Sequence, residues 1–402
     1  MKVLRFNQDA SCCAVAFSGS SLSIYNCDPF GKCFELENGS NSSREDLRSY
    51  NAHTSSEDPP NFVIEMLFST SLVVIVDKNQ GLQKSKKLKV VNTKRKSTIC
   101  ELTFPHEIVD VVMNRKRMCI LLSSDQIFIY DISCMKLLQT IDVLEDKLKD
   151  VVHRQALPPP SHTLPDVKLA LSSDDRSILC YTAYSHSTSD SYLLNDVVIF
   201  DALNVTPINY LNTVHKGNIT CLTVNHDGKL VATASEKGTI VRVFHTGADS
   251  DFDSNDPLFH EFRRGTRPCE IYGMKFDPQS SKLGVIGGTD TIHIFKLEKG
   301  RDIEDSPSAS ASSLMDNKFS RESSKQLASF ISKKVMSKIP SQNLTRDFAH
   351  IKVKDSIQHF IGFPEEFPGQ VYVASDDGQF QIFNLPSMGG ECMLVKSSRF
   401  TI

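Results

Sequence analysis

The chain has 402 residues, and its 45 Lys and Arg against 48 Asp and Glu give a formal net charge of −3 at pH 7. A hydrophobic fraction of 40% and a charged fraction of 23% are ordinary for a folded protein, which excludes a chain that is disordered throughout. The near-neutral charge excludes a protein that coats nucleic acid through bulk electrostatics, so we expect no nucleic-acid partner.

The sequence indicates neither a membrane span nor a metal site. No uninterrupted apolar run reaches the roughly 18 residues of a transmembrane helix, and the N-terminal MKVLRFNQDASCC lacks the apolar run of a signal peptide. The eleven cysteines include no CxxC pair, the spacing common in zinc ligand sets. We therefore expect a cytosolic protein with reduced, mostly buried thiols and no bound metal or cofactor.

One pattern recurs along the chain: an apolar alternating run, a polar turn, a second apolar run, another turn, and a run that ends in an aromatic residue. Its seven copies occupy 3–25, 61–91, 108–130, 167–201, 219–244, 271–295 and 359–383. Alternation with period two indicates strands, and four-stranded units spaced by about 40 to 50 residues are typical of β-propellers. We predict an all-β, WD40-like, seven-bladed β-propeller that forms a single domain over 1–402, although the chain has no Trp for the usual Trp-Asp strand ending.

The longest interruption of this pattern is a predicted flexible insertion at 300–346 in the sixth blade. It opens with the low-complexity tract SPSASASS, whereas 325–339 is basic and amphipathic and ends before Pro340. The apolar residues of this candidate helix recur at helical spacing, and we expect four of them to insert into a membrane: Leu327, Phe330, Ile331 and Val335. A partner-docking segment and a disordered tract are the alternatives.

No motif for catalysis is present. The chain has no G-x-S-x-G, no H-E-x-x-H and no Walker loop, and its histidines do not cluster with carboxylates in a recognisable motif. We therefore expect that the protein is not an enzyme.

Two consecutive arginines lie at the join between the fifth and sixth repeats, in the string FRRG at 262–265. Neighbouring residues on a strand point to opposite faces, so Arg263 and Arg264 can enter two different pockets. A guanidinium group suits phosphate because it stays charged and donates paired hydrogen bonds. Taken alone, the same pair is also typical of a solvated rim.

These strings resemble the PROPPIN family, seven-bladed propellers that bind phosphoinositides in autophagy. The resemblance covers nearly the whole chain, and it depends most on FRRG at 262–265, HKGNI at 215–219, TASEKGTIVRVF at 233–244 and TDTIHIF at 289–295. Within the family, MKVLRFNQDASCC, NCDPFGKCFE, TKRKSTIC and PHEIVDVVMNRKRM resemble the yeast branch devoted to cytoplasm-to-vacuole targeting.

The resemblance implies two pockets for the headgroup of phosphatidylinositol 3-phosphate or 3,5-bisphosphate. By matching positions, the first pocket would use His215, Ser235, Thr239, Arg242 and Arg263. The second pocket would use Arg264, Thr291 and His293. The family often has Ser where this chain reads Gly287-Gly288, which removes a hydroxyl donor from the second pocket. The family also has a membrane-inserting loop in its sixth blade, which the segment at 325–339 matches.

A second basic region comprises Lys84, Lys86, Lys87, Lys89, Lys94, Arg95 and Lys96, followed by Arg115-Lys116-Arg117 in the next repeat. Lysines along a strand edge also prevent edge-to-edge pairing, which is the simpler interpretation. Related propellers use basic residues of this region to hold the coiled-coil scaffold subunit of the autophagic lipidation ligase complex. The resemblance therefore implies partner docking by Arg115, Arg117 and Arg95.

The resulting expectation is a peripheral membrane adaptor in autophagy. It would bind phosphatidylinositol 3-phosphate membranes through blades five and six and recruit the lipidation machinery of the autophagic ubiquitin-like modifier. We expect it in the cytoplasm and, bound to membranes, at the pre-autophagosomal structure, the vacuole and endosomes. The alternative is a WD-type scaffold whose rim arginines bind acidic peptides without lipid recognition. A third interpretation, a phosphoinositide phosphatase, lacks a C-x5-R loop.

Overall fold

The computed structural model describes residues 1–17, 21–36, 61–79, 85–144, 166–185, 193–249, 257–297 and 346–401. Contacts divide the chain into two compact units, Met1–Leu297 with Arg346–Ile402 and Glu298–Thr345. The second unit lies outside the described residues. So do the candidate helix at 325–339 and nearly all of the insertion predicted at 300–346.

The described residues form seven antiparallel blades, each with four strands in sequence order from the centre outwards. The strands of blades one and two are β1 Lys2–Phe6, β2 Cys12–Phe17, β3 Ser21–Asn26, β4 Gly31–Leu36, β5 Phe62–Met66, β6 Leu72–Asp77, β7 Lys87–Asn92 and β8 Ser97–Thr103. Those of blades three and four are β9 Ile108–Met113, β10 Arg117–Leu122, β11 Gln126–Asp131, β12 Lys136–Asp142, β13 Leu169–Leu171, β14 Ile178–Ser185, β15 Leu193–Asp201 and β16 Thr206–Leu211.

The strands of blades five and six are β17 Ile219–Val224, β18 Leu230–Ser235, β19 Ile240–His245, β20 Leu258–Arg263, β21 Ile271–Phe276, β22 Lys282–Gly287, β23 Thr291–Lys296 and β24 Ala349–Lys352. Blade seven and an added short strand comprise β25 His359–Gly362, β26 Gln370–Ser375, β27 Gln379–Asn384, β28 Gly390–Glu391 and β29 Met393–Arg399. Strand β28 pairs in parallel with β24, so it extends blade six. The predicted seven-bladed, all-β fold is confirmed.

The ring closes through the innermost strands. The first strand of each blade contacts the first strand of the next, and β1 contacts β25 to complete the circle. Within the ranges given above, no strand is exchanged between blades one and seven. Side chains hold this seam instead: the backbone N–H of Val3 donates to Asp376 Oδ1 at 2.6 Å, and the Tyr25 hydroxyl bonds both backbone groups of Thr401.

The hydrophobic core lies between neighbouring blades. The join of blades five and six is one such cluster, in which the fully buried Phe262 of β20 stacks on Phe295 of β23 with ring centroids 4.7 Å apart. Because Phe262 directly precedes the two arginines, this packing fixes where they leave blade five.

No helix within the described ranges is long and apolar enough to cross a membrane.

Candidate functional site

The two consecutive arginines lie in different environments. Arg263, the last residue of β20, pairs with Ile240 and has an exposed side chain. Arg264 is only 8% exposed, and its guanidinium group donates to the carbonyl oxygens of Gly238, at 2.8 Å, and Arg267. Consecutive residues on a strand point to opposite faces, and here the guanidinium group of Arg263 is exposed whereas that of Arg264 is largely enclosed by backbone.

Most residues predicted for the first pocket lie on one face of blade five. Thr233 is directly opposite Arg242, which is opposite Glu261, so these three share a face. Ser235 and Arg263 lie two residues further along their strands and are on the same face. The apolar cluster on this face includes residues of blade four, so the face looks towards blade four.

Two hydroxyl groups lie near the end of this face. Ser235 ends β18 and Thr239 precedes β19, and the turn between them is closed by the bond from Gly238 N to the Ser235 carbonyl oxygen at 2.8 Å. Arg264 N also donates to the Thr239 carbonyl oxygen at 3.0 Å, which brings the turn to the end of β20. Neither hydroxyl bonds another residue that the structure describes, so both can bind a ligand.

His215 and Arg242 form the inner part of this group. His215 is 4% exposed, and its Nε2 is 3.0 Å from Thr233 Oγ1. Burial, together with the positive charge of Arg242, lowers the pKa of His215 to about 4. The histidine is therefore neutral at pH 7 and provides a hydrogen bond rather than a charge.

Arg242 forms an ion pair with an acidic residue that was not identified from the sequence. Arg242 Nε donates to Glu261 Oε2 at 2.6 Å, and its Nη1 donates to the Val214 carbonyl oxygen at 2.7 Å. An anion that binds here meets Arg263 first and must compete with Glu261 for Arg242. The sequence could have indicated Glu261, because it precedes Arg263 by two residues and side chains two apart on a strand lie on the same face.

Two of the three residues predicted for the second pocket, Thr291 and His293, lie on the face of blade six that looks towards blade five. Thr291 and His293 alternate along β23 with Phe295, whose ring packs on blade five. His293 Nδ1 is 2.9 Å from Asp347 Oδ2, and Thr291 is 9% exposed. Arg264 extends from blade five towards this gap, since its guanidinium group bonds the carbonyl of Arg267 in the connection to blade six.

Lys352 belongs to the same surface and was missed in the sequence. Its Nζ donates to Thr291 Oγ1 at 3.0 Å and lies 3.8 Å from Asp290 Oδ2. Thr291 and Lys352 are direct partners in the pairing of β23 with β24. The insertion separates the two strands in sequence, which is why no short motif connects the lysine with the threonine.

The glycine pair of blade six has two different surroundings. A Cβ atom on Gly287 would lie 2.8 Å from the Glu270 carbonyl oxygen and 2.9 Å from Cys269 Sγ. A Cβ atom on Gly288 would meet nothing within 4 Å. Only the second position therefore has room for the serine that the resemblance led us to expect.

The three arginines predicted for partner docking also differ. Arg117 is 8% exposed, and its guanidinium group donates to the carbonyl oxygens of Ala202 and Leu203, both at 2.8 Å, so it connects blades three and four. Arg115 is exposed, with its Cζ 4.1 Å from the centre of the Phe68 ring. Arg95 is exposed in the turn between β7 and β8. A partner can reach Arg115 and Arg95, whereas the donors of Arg117 are largely used inside the propeller.

Arg115 and Arg95 lie on the same face of the ring. Because successive strands of a blade are antiparallel, the first and third turns of every blade point to one face. Arg115 lies in the first turn of blade three, and Arg95 lies in the third turn of blade two.

The residues predicted to insert into a membrane, Leu327, Phe330, Ile331 and Val335, lie outside the described residues. Among the residues that are described, no group of three or more His, Cys, Asp or Glu could hold a metal ion.

Comparison with known proteins gives full-length matches. The PROPPIN family model matches residues 6–400. "Autophagy-related protein 21" of Eremothecium gossypii is 60% identical over 100% of both chains, and the protein of the same name from Vanderwaltozyma polyspora is 50% identical, also over 100% of both. The solved structure "Complex of KlAtg21 with coiled-coil of AgAtg16" is 42% identical, covers 100% of this chain and 99% of that chain, and has a TM-score of 0.75.

Proposed function

The chain belongs to the PROPPIN family, and from this premise we propose that it is a non-enzymatic adaptor of autophagy that binds phosphoinositide headgroups on membranes. The observation that carries the proposal is the division of the two arginines between two gaps. Arg263 lies on the face towards blade four, and Arg264 reaches towards blade six. In each gap, hydroxyl and imidazole side chains of the predicted pocket lie near the arginine.

The first pocket has the chemistry of a phosphate site. The exposed guanidinium group of Arg263 and the unengaged hydroxyls of Ser235 and Thr239 are hydrogen-bond donors for phosphate oxygens. Neutral His215 adds a donor or acceptor for an inositol hydroxyl. We propose that the first pocket binds the 3-phosphate of phosphatidylinositol 3-phosphate or of phosphatidylinositol 3,5-bisphosphate.

The second pocket relies on exposed Lys352 and on the partly buried imidazole of His293, because Arg264 already donates to two carbonyl oxygens. One shallow pocket holds a headgroup weakly. Two pockets on one rim make the second binding event intramolecular, which raises the overall affinity for a membrane above that for a single headgroup. We further propose that the segment at 325–339 inserts into the interface beside them, through Leu327, Phe330, Ile331 and Val335.

We also propose that the chain docks a coiled-coil scaffold subunit of the autophagic lipidation ligase complex. The solved complex of a relative 42% identical to this chain contains a coiled coil of AgAtg16. Arg115 and Arg95, exposed on one face of the ring, are the residues we assign to an acidic coiled coil here. Recruitment of the lipidation machinery of the autophagic ubiquitin-like modifier to the pre-autophagosomal structure, the vacuole and endosomes follows from this pair of contacts.

The test of lipid binding uses vesicles with and without phosphatidylinositol 3-phosphate. We expect the native chain to co-sediment only with vesicles that contain the lipid, and Arg263→Thr to lose most of this binding. Arg95→Thr removes the same charge from a distant blade and is the matched control, so it should bind the vesicles as the native chain does.

In a second assay, with an immobilised acidic coiled coil, Arg263→Thr becomes the control. Arg95→Thr should bind the coiled coil more weakly than Arg263→Thr does. If the native chain ignores the lipid but binds acidic peptides through Arg263, the WD-type scaffold is the correct function. Equal vesicle binding by the native chain and Arg263→Thr would exclude the first pocket.

A further inference from the structure

Blade seven carries an apolar surface that no described neighbour covers. Met388, in the connection from β27 to β28, is 93% exposed. Met393, Leu394 and Val395 follow at the start of β29 and are 69%, 49% and 52% exposed. Four exposed apolar side chains within eight residues of the chain are more than singly scattered exposure, and such a concentration in a soluble protein marks a contact surface. We call these four residues the blade-seven tip.

The tip has a fixed base. Gly390 N donates to the Phe348 carbonyl oxygen at 2.9 Å, and Cys392 N donates to the His350 carbonyl oxygen at 2.8 Å. Gly389 has φ +81°, and a Cβ atom there would lie 2.5 Å from the Phe348 carbonyl oxygen, so only glycine allows this close approach. The backbone is thus bound to β24 on both sides of β28, and Met388 projects from a rigid support.

This support is also part of the second pocket. Strand β24, to which the tip is bound, carries Lys352, the partner of Thr291. The start of β24 follows Asp347, which bonds His293. Headgroup binding and the apolar tip are therefore connected through one short strand with no flexible linker between them.

Exposed cations outnumber exposed acids in the segments that carry and support the tip. Lys396 directly follows Val395 on β29, Arg346 lies three residues before β24, and Lys352 ends β24, against the single exposed acidic residue Glu391 of β28. Basic residues are attracted electrostatically to the anionic lipids of a membrane leaflet. Apolar side chains next to such residues are typical of protein surfaces that enter a lipid interface.

We propose that the blade-seven tip is a membrane wedge, which enters the interface of an anionic bilayer when the second pocket holds a phosphoinositide. The inference rests on the proposed function and adds a second, rigid apolar contact to the predicted insertion. A bilayer is the occupant that this shape fits, because Met388 protrudes rather than lining a groove. The patch has none of the Trp, Tyr or Arg anchors that dominate protein interfaces.

The absence of Trp from the chain allows a direct test. Met388→Trp places a single tryptophan at the wedge, and Ile99→Trp places one at an exposed apolar position of blade two, 54% exposed, as the matched control. We expect the emission of the Met388→Trp variant to shift to shorter wavelength and to be quenched by brominated acyl chains, only with vesicles containing phosphatidylinositol 3-phosphate. The Ile99→Trp variant should show neither effect.

A second variant separates insertion from headgroup recognition. Met388→Asp should weaken binding to phosphatidylinositol 3-phosphate vesicles about tenfold, because a charge replaces a side chain that would be buried in the interface. Its affinity for soluble inositol 1,3-bisphosphate should match that of the native chain. Met388→Leu, which keeps an apolar side chain, should bind vesicles as the native chain does.

The outcomes distinguish the two proposals. If the native chain co-sediments with the vesicles but the Met388→Trp variant is neither shifted nor quenched, the wedge is wrong and the proposed function stands. If the native chain does not bind the vesicles, the proposed function fails and the wedge with it. A spectral shift that grows with protein concentration in the absence of lipid would overturn the wedge in favour of contact between two copies of the chain.

Discussion

At the scale of single residues, the structure separates side chains that hold the propeller from side chains that are free to bind. Arg263 and Arg264 are neighbours, yet one is exposed and the other donates to two carbonyl oxygens. Arg115 and Arg117 repeat this contrast in blade three. Removing the buried member of either pair affects stability as well as binding, so the exposed members are the cleaner test of function.

We predict that Arg264→Thr lowers the free energy of unfolding by about 1–3 kcal/mol, because it leaves the carbonyl oxygens of Gly238 and Arg267 without their donors. Arg263→Thr, at an exposed position, should change it by less than about 0.5 kcal/mol. Urea denaturation of both variants measures the difference. Equal stability of the two would mean that Arg264 has no structural role.

The depressed pKa of His215 predicts how stability depends on pH. The folded state holds this pKa at about 4, whereas the unfolded chain has the ordinary value near 6.5, so protons bind preferentially to the unfolded state between these values. The contribution of His215 to stability is therefore complete above pH 6.5 and is lost as the pH falls towards 4. At about 1.4 kcal/mol per pKa unit, the loss reaches about 3 kcal/mol.

Thermal denaturation of the native chain and His215→Gln between pH 7 and pH 4.5 tests this. The variant should lose less stability on acidification, because glutamine does not titrate. His106→Gln, at an exposed histidine, should retain the native pH dependence. An identical slope for the native chain and His215→Gln would show that His215 is not the group responsible.

At the scale of strands and turns, the sequence predicted the inner three strands of every blade and missed most of the fourth. The seven repeats coincide with the first three strands of the seven blades. Outer strands such as β12 have half-buried and exposed residues throughout, so their sequences lack the alternation that burial of one face imposes. Strand β28 has two residues and pairs in parallel, and no local pattern indicates it.

The candidate site was predicted as far as local sequence extends. The alternation of side chains along a strand sent Arg263 and Arg264 to different faces, and the family resemblance grouped Ser235, Arg242 and Arg263, which lie on one face of blade five. Burial of Arg264 depends on carbonyl groups in two turns, and Lys352 reaches Thr291 only after a long insertion. The burial of Arg264 depends on the backbone geometry of the turns that supply its carbonyl acceptors, and the contact of Lys352 with Thr291 joins two segments that are distant in sequence.

The turn between β22 and β23 gives a prediction for the glycine pair. Gly288→Ser should fold with native stability and add a hydroxyl next to the second pocket, because a Cβ atom there meets nothing within 4 Å. Gly287→Ser should lower the midpoint of thermal unfolding, because its Cβ atom would lie 2.8 Å from a backbone oxygen. Calorimetry on both variants tests this, and a destabilised Gly288→Ser variant would contradict it.

At the scale of the whole molecule, the insertion leaves a complete ring behind. Ile294 pairs with Ala349 across its two ends, and the strands before and after it are in register. We predict that replacing 299–345 with a short Gly-Ser linker leaves the midpoint of thermal unfolding unchanged. Binding to phosphatidylinositol 3-phosphate vesicles should fall, while affinity for soluble inositol 1,3-bisphosphate should not.

Differential scanning calorimetry and vesicle co-sedimentation measure the two effects separately. A large loss of thermal stability in this deletion variant would show that the insertion contributes to the fold. Unchanged vesicle binding would show that the propeller rim alone accounts for membrane affinity.

The seam between blades one and seven has a consequence for the newborn chain. The four antiparallel strands of blades one to six are consecutive in sequence, and the two-residue β28 interrupts those of blade seven, so each blade can form largely as its own stretch leaves the ribosome. Blade one, however, keeps an apolar flank that includes Val3, Phe6 and Tyr25 uncovered until Tyr372 and Phe380 have been synthesised. Every chain that stops short of blade seven therefore displays this flank, which gives chaperones and proteases a signal to distinguish unfinished copies from finished ones.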